Sequence, residues 1–320
     1  MNMHLLQTMA YAGETPWHGL GNRLLPNQPI EVWAKQAGMD WHIEESEVRY
    51  IAGKNDVGSI HDYPGQRVLY RSDNKMPLSV VSSRYKVVQP GEVLEFYRDL
   101  TRHSGFELET AGVLREGRKF WALARTGQST MLKGRDRVDG YLLLASACDG
   151  TLATTAQFTS VRVVCNNTLA VSLRDASGSV KVHHRCEFDP VAVKRQLGIT
   201  VAVWDGFVDR MKALVEYPVD PDSVDGLLRR VLAYQMQEGR PSVVSEQALV
   251  NVRALYEGNG LGAQLVSSHG TAWGLLNSVT EYVDFHRRAR SNDNRRDAAW
   301  FGLGAQIKQR AWDEAMKLVA

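Results

Sequence analysis

The chain has 320 residues, 44% of them hydrophobic and 23% charged, the make-up of a globular protein able to bury one large core or two modest ones. Its 38 Lys and Arg against 36 Asp and Glu leave a net charge of only +2, so overall charge selects no polyanionic partner, and a nucleic-acid surface has to come from local segregation of cations. No stretch reaches the roughly 18 uninterrupted apolar residues of a membrane span, and the amino-terminal residues lack the basic-then-apolar order of a secretory signal.

Residues 1–29 are rich in Gly, Pro and Asn and carry little periodicity. A short helix is expected over Pro29 to Gln36, with Pro29 in its first turn and Gly38 as its stop. Trp41, Ile43, Val48 and Tyr50 suggest an extended segment, followed by a loop from Gly53 to Gly65. Arg67 to Arg71 and Leu78 to Ser82 read as strands joined by the turn residues Ser72-Asp73-Asn74-Lys75. Pro90 to His103 reads as an amphipathic helix, because Val93, Phe96, Tyr97 and Leu100 recur at i, i+3, i+4 and i+7 and Gly105 follows. Phe106 to Val113 and Lys119 to Thr126 form a second pair of strands across the loop Leu114 to Arg118.

Residues 139–173 are the most strongly patterned stretch. Gly140 to Cys148 and Thr151 to Phe158 are expected to pair across Asp149-Gly150, a dipeptide suited to a type I′ turn. Ser160 to Cys165 follows as a third strand, and Asn166-Asn167-Thr168 is a capping triplet able to open a helix. Asp189-Pro190 and Asp220-Pro221 start helical runs to about Tyr217 and Gln237. Ser245 to Tyr256, Ala272 to Arg290 and Ala299 to Val319 complete a nearly all-helical second half, broken by Gly258 to Gly262. The fold class is therefore α+β, with a mainly antiparallel sheet, hairpins and packed helices in residues 1–186 and a helical domain over 187–320.

No catalytic motif stands out: GxSxG, P-loop and GxGxxG patterns are all missing, and no cofactor is implied. His183, His184, Cys186, Cys165 and Cys148 do not have the ligand spacings of a zinc site, so no metal site is assigned. The three cysteines sit in or beside strand-like runs and are read as buried thiols in a reducing cytoplasm. Asp149 is accounted for by its turn. The remaining candidates are cations interleaved with aromatics. Alternation along Arg118 to Arg125 sets Arg118 on one face and Lys119 and Trp121 on the other, and Arg84 and Lys86 share a face beside Tyr85. In Ser160 to Cys165, Val161, Val163 and Cys165 are expected inside, with Ser160 and Arg162 on the opposite face. Such a surface suits phosphates and stacked bases, although the same residues also occur as ordinary solvated strand positions. Asn166, Asn167 and Thr168 would present backbone N–H groups to a phosphate or simply cap a helix. The run His286 to Arg290, with Arg295 and Arg296 beyond an exposed Ser291 to Asn294 loop, is the strongest local positive charge. Trp273, Trp300 and Trp312 are read as helix-packing core.

Several segments together resemble a family of phage- and plasmid-borne proteins with a domain of unknown function. They are Thr15 to Gly21, Ser83 to Val88, Glu109 to Gly112, Gly117 to Trp121, Val161 to Leu169, Thr271 to Gly274, Glu281 to Asp284 and Phe301-Gly302. Cys148 stands where the resemblance would place His before Asp149-Gly150, which argues against a catalytic His at that point. The architecture is similar to that of phage single-strand annealing proteins. That similarity implies a non-enzymatic, cytoplasmic protein of a bacterial host that binds single-stranded DNA and assists annealing, recombination or replication as a homo-oligomer. In this reading Arg84, Lys86, Arg162 and either Arg118 or Lys119 contact phosphates, and Trp121 or Tyr85 stacks on bases. One alternative is a non-catalytic oligomeric protein engaging host factors. Another is a metal-dependent hydrolase or nuclease using Asp149 with His183 or His184.

Overall fold

A computed structural model describes residues 9–13, 21–54, 57–103, 105–164, 167–170, 179–197, 201–233 and 244–320. The strands are β1 (Met9–Ala12), β2 (Asn22–Leu24), β3 (Ile43–Lys54), β4 (Val57–Arg71), β5 (Pro77–Ser82), β6 (Glu107–Leu114), β7 (Lys119–Leu132), β8 (Asp136–Ala147), β9 (Thr154–Arg162), β10 (Asn167–Ala170) and β11 (Ser179–Val182). The helices are α1 (Ile30–Gln36), α2 (Pro90–His103), α3 (Pro190–Leu197), α4 (Val201–Glu216), α5 (Val224–Leu232), α6 (Glu246–Ala254), α7 (Ala272–Glu281), α8 (Asn292–Phe301) and α9 (Leu303–Leu318). The class is α+β, with helices concentrated in the carboxy-terminal part.

The chain forms two compact units. The first comprises residues 1–127, 142–157 and 179–198, and the second 128–141, 158–178 and 199–320, so that β7, β8 and β9 each contribute residues to both.

In the first unit the strands run in the order β9-β8-β7-β6-β1-β2, with β11 also paired to β9. The β1–β6, β6–β7 and β9–β11 pairings are antiparallel, and β1 pairs with β2 in parallel. A second, three-stranded sheet has the order β3-β4-β5. Helix α2 covers the larger sheet with Val93, Leu94, Phe96, Tyr97 and Leu100, all buried, as the sequence spacing predicts. The Tyr97 hydroxyl lies 2.9 Å from the Ala122 carbonyl and 3.0 Å from that of Leu142, tying the helix to two adjacent strands. Both faces of β7 are buried from Lys119 to Ala124, which removes the open basic sheet face expected there. Gly117 closes the β6–β7 connection at φ +100°, and an added Cβ would lie 2.9 Å from Trp41 and from Arg71, so only glycine fits.

Four further expectations are corrected. The described residues of the span 53–65 are not a loop, because β3 runs to Lys54 and β4 from Val57 as a long antiparallel ribbon; Gly and Pro in that stretch mask the pairing. Asp149-Gly150 is not a type I′ turn, since only Gly150 has positive φ and β8 and β9 are joined by residues 148–153. Asp149 instead accepts from the Thr151 backbone N–H at 3.0 Å and from its hydroxyl at 2.6 Å. No separate strand covers Ser160 to Cys165: β9 runs on to Arg162, and Val163 and Val164 lie exposed in the turn beyond it. Cys186 is exposed, whereas Cys148 is buried; Cys165 lies outside the described residues.

In the second unit, β10 folds back antiparallel on β9, with Asn167 opposite Arg162 and Ala170 opposite Thr159. Asn167 and Thr168 of the capping triplet therefore open a strand rather than a helix, because β-pairing and Asp284 take up their backbone groups. Asp284 accepts from the Thr168 N–H at 2.9 Å. Helix α7 is buried along its whole length, and its hydroxyl cap is Thr271, which accepts from the Gly274 N–H. The Trp312 ring of α9 stacks on Phe207 of α4 at 5.1 Å. Trp273 and Trp312 are core, as expected. Ser291 caps α8 by accepting from the Asn294 N–H, so the expected loop 291–294 is the first turn of a helix.

Candidate nucleic-acid interface

In the first unit, three chain segments converge on the end of the larger sheet where β8 gives way to residues 148–153. The Tyr85 hydroxyl donates to the Ala147 carbonyl at 2.7 Å, and burial pushes its ionisation well above the usual phenol range. The Tyr85 ring stacks on His184 with centroids 4.4 Å apart and planes 19° from parallel. His184 is fixed by backbone on two sides: Nε2 lies 2.8 Å from the Leu152 carbonyl and Nδ1 lies 3.3 Å from that of Lys86. The Lys86 N–H donates to the His184 carbonyl at 2.5 Å. At the neighbouring turn the Cys148 N–H donates to the Arg118 carbonyl at 2.9 Å, and the Ser79 hydroxyl donates to the Cys148 carbonyl at 2.5 Å. Burial raises the Cys148 thiol to about 12, so it stays protonated and unreactive at neutral pH.

Arg84, Lys86, Arg118 and Arg185 are all exposed around this junction. Lys86 pairs with Glu187 at 3.2 Å. Arg84, Arg118 and Arg185 make no ion pair among the described residues. Three guanidiniums are thus open to an external anion beside a half-exposed aromatic pair. Arg84, Tyr85, Lys86 and Arg118 are the expected residues that the fold brings together here. Arg185 and His184 join them; the sequence pointed to His184 only as part of a metal-ligand cluster and did not single out Arg185. Among the described residues no group of three or more His, Cys, Asp and Glu is placed to hold a metal ion.

The other expected contacts lie elsewhere. Trp121 and Lys119 are 1% and 6% exposed, enclosed in the sheet core, and offer no surface for stacking or phosphate binding. Asn166 lies outside the described residues, and Asn167 belongs to β10. Thr168 is engaged inside the second unit, where its hydroxyl receives Lys308 Nζ at 2.9 Å and Lys308 also reaches Asp284 at 2.8 Å.

Arg162 is likewise internal, 3% exposed, with Nε and Nη2 each donating at 2.7 Å to one oxygen of Asp136. The same carboxylate accepts from the Ser267 hydroxyl at 2.7 Å and from Trp273 Nε1 at 3.0 Å, while Arg162 Nη2 reaches the Ser268 hydroxyl at 2.6 Å. The alternation along β9 is therefore inverted relative to expectation: its polar side faces inward, onto a counter-ion. Gly262 lies directly against this pair at φ +72°, where an added Cβ would sit 2.8 Å from Val164 and 3.1 Å from Arg162 Nη2. In the carboxy-terminal basic run, Arg295 donates to the Arg287 carbonyl at 3.3 Å, while Arg288 and Arg290 are exposed and make no ion pair among the described residues.

No curated protein and no solved structure matches the chain. Residues 77–300, well over half of the chain and including the Tyr85 junction, match the model of DUF932, a domain of unknown function, and the chain belongs to that family.

Proposed function

We propose that this chain binds single-stranded nucleic acid through the surface around Tyr85 and His184, as a homo-oligomeric phage or plasmid protein assisting annealing, recombination or replication. Arg84, Arg118 and Arg185 take the phosphates, and a base stacks against the Tyr85–His184 pair. The observation that carries this reading is that Arg84, Arg118 and Arg185, exposed and without an ion pair among the described residues, lie on the segments that carry or adjoin a stacked aromatic pair whose orientation is fixed by backbone hydrogen bonds. Arginine suits the role because its fork matches phosphate geometry and stays charged. The near-neutral net charge fits a local binding surface better than a general affinity for polyanions.

Anisotropy of a fluorescein-labelled 30-nucleotide single strand, titrated with the full chain at several salt concentrations, tests the proposal. With three phosphates neutralised, log K against log salt falls with a slope of about −2, or about 20-fold between 50 and 200 mM salt. Absence of binding at the lowest salt rejects it. A second reading, in which the protein acts through protein contacts and never touches nucleic acid, draws on the exposed β3–β4 ribbon.

A further inference from the structure

Residues 287–297 hold five arginines against Asp293 and Asp297, whereas the remaining 309 residues hold 33 Lys and Arg against 34 Asp and Glu. The positive net charge of the chain therefore arises from this one stretch. Neither acid offsets it at the surface. Asp297 is buried, and Asp293 lies 3.9 Å from Arg296, whose side chain is turned inward at 11% exposure. Arg287, Arg288, Arg290 and Arg295 are left, and none of them makes an ion pair among the described residues.

The fold gathers these four arginines instead of spreading them. A helical turn, Tyr282–His286, prolongs α7, and the chain then passes through Arg287 to Arg290 and reaches Ser291, the cap of α8. Arg295, in the first turns of α8, folds back onto that connection. Its Nε donates to the Arg287 carbonyl at 3.3 Å, and its Nη1 donates to Asn292 Oδ1 at 3.3 Å. Arg288 and Arg290 are exposed, and Arg287 and Arg295 are half-buried. Arg287 also lies near enough to Tyr282 to oppose the rise that burial causes in the ionisation of its hydroxyl, so a half-buried aromatic borders the patch.

Helix ends account for only part of the cluster. Arg287 and Arg288 follow the carboxy-terminal end of the turn at His286, where a cation is favourable. Arg290 and Arg295 sit at the start of α8, the positive end, where a cation is unfavourable. Like charges held together without a carboxylate cost the fold electrostatic energy that an external anion recovers. Spread over a connection and the first turns of a helix, the four suit a row of phosphates better than a single ion. A lipid surface is the poorer match, because residues 286–296 expose no large apolar side chain to enter it.

We infer that Arg287, Arg288, Arg290 and Arg295 form a phosphate-binding surface of the second unit, which takes the sugar–phosphate backbone of a nucleic acid. All four belong to residues 199–320 and none to the Tyr85 surface, so this is a second place of contact for the same class of ligand and stands or falls separately. The guanidinium fork matches phosphate oxygens in pairs. Contacts to phosphate position a strand without reading its bases, so binding here is insensitive to sequence.

Arginine modification by p-hydroxyphenylglyoxal, mapped by peptide mass in the wild-type full chain with and without a saturating 30-nucleotide single strand, reads the two surfaces separately. The expected result is slower modification of Arg288 and Arg290 when the strand is bound. Anisotropy of the same strand against the variant Arg288→Gln, Arg290→Gln gives a second readout. Both substitutions are on exposed side chains, so Tm should stay at the wild-type value. The slope of log K against log salt should become shallower by about 1.4, for two phosphates at about 0.7 each on a single strand. Protection of Arg84, Arg118 and Arg185 with none at Arg288 and Arg290, and an unchanged slope, overturns the inference and leaves the Tyr85 surface standing. Protection of Arg288 and Arg290 alone, with the shallower slope, supports it and removes the Tyr85 surface from the account. Absence of binding at the lowest salt overturns both. Vesicles rich in phosphatidylserine are the control: vesicle binding lost in the variant while oligonucleotide binding is unchanged would assign the patch to a membrane and also overturn the inference.

Discussion

The Arg162 guanidinium and the Asp136 carboxylate face each other in a two-pronged ion pair, each prong 2.7 Å long, with the two residues 3% and 1% exposed. The remaining capacity of the carboxylate is filled by Ser267 and Trp273, so the pair is satisfied as a unit. Arg162→Ala or Asp136→Ala leaves a bare charge in the interior and is expected to cost about 3–5 kcal/mol. Urea unfolding gives the number. A loss below about 1 kcal/mol would mean that the pair is more hydrated than its burial indicates. Loss of nucleic-acid binding by Arg162→Glu would accordingly report unfolding rather than a missing phosphate contact.

Glu281 provides a pH signature. Burial raises its pKa above 4.5, against the opposing pull of the Leu261 N–H and of His286, whose Nε2 lies 3.6 Å away. The folded state therefore holds this proton more tightly than the unfolded state. Its stabilising contribution is complete below pH 4.5 and is lost as pH rises through the folded value. Glu281→Gln removes the ionisation while keeping an acceptor for Leu261. The difference in Tm, variant minus wild type, is expected to grow between pH 4 and 7, and a difference independent of pH would count against the assignment.

The cysteines separate by reactivity. Cys186 is exposed and Cys148 is buried, with a thiol raised to about 12. Iodoacetamide at pH 8, followed by peptide mass mapping, is expected to label Cys186 in the folded chain and Cys148 only after denaturant is added. Rapid labelling of both in the native state would show that the β8 end opens. The raised thiol value also makes Cys148 a source of stability that is complete below pH 9 and disappears as pH climbs towards 12. Cys148→Ala should therefore weaken the alkaline loss of stability.

Much of this fold is legible in the sequence wherever one physical signal acts alone. Helix α2 spans Pro90–His103 because its apolar spacing, proline start and glycine stop agree. The strands flanking Leu114 to Arg118 and Ser72 to Lys75 follow from turn chemistry. The signal fails where tertiary partners invert it. Arg162 reads as a surface cation, yet its counter-ion, 26 residues earlier, turns the polar side of β9 inward. Asn166 to Thr168 has cap chemistry, but strand pairing claims the backbone from Asn167 on. Lys119 and Trp121 share a face as expected, but both faces of β7 are covered there, which a period of two cannot reveal. Of the candidate surface, Arg84, Tyr85, Lys86 and Arg118 could be named from their own segments. Their convergence with Arg185 and His184 depends on contacts across about a hundred residues of chain, which no local pattern encodes.

The central claim rests on three arginines, and charge reversal tests it most directly. The triple variant Arg84→Glu, Arg118→Glu, Arg185→Glu changes only exposed side chains that make no ion pair among the described residues, so its Tm should stay within a few degrees of wild type. Anisotropy of the labelled 30-nucleotide strand at 50 mM salt is expected to show wild-type binding and at least a 100-fold weaker Kd for the variant. Equal binding by the two proteins, with the fold intact in both, would contradict the account.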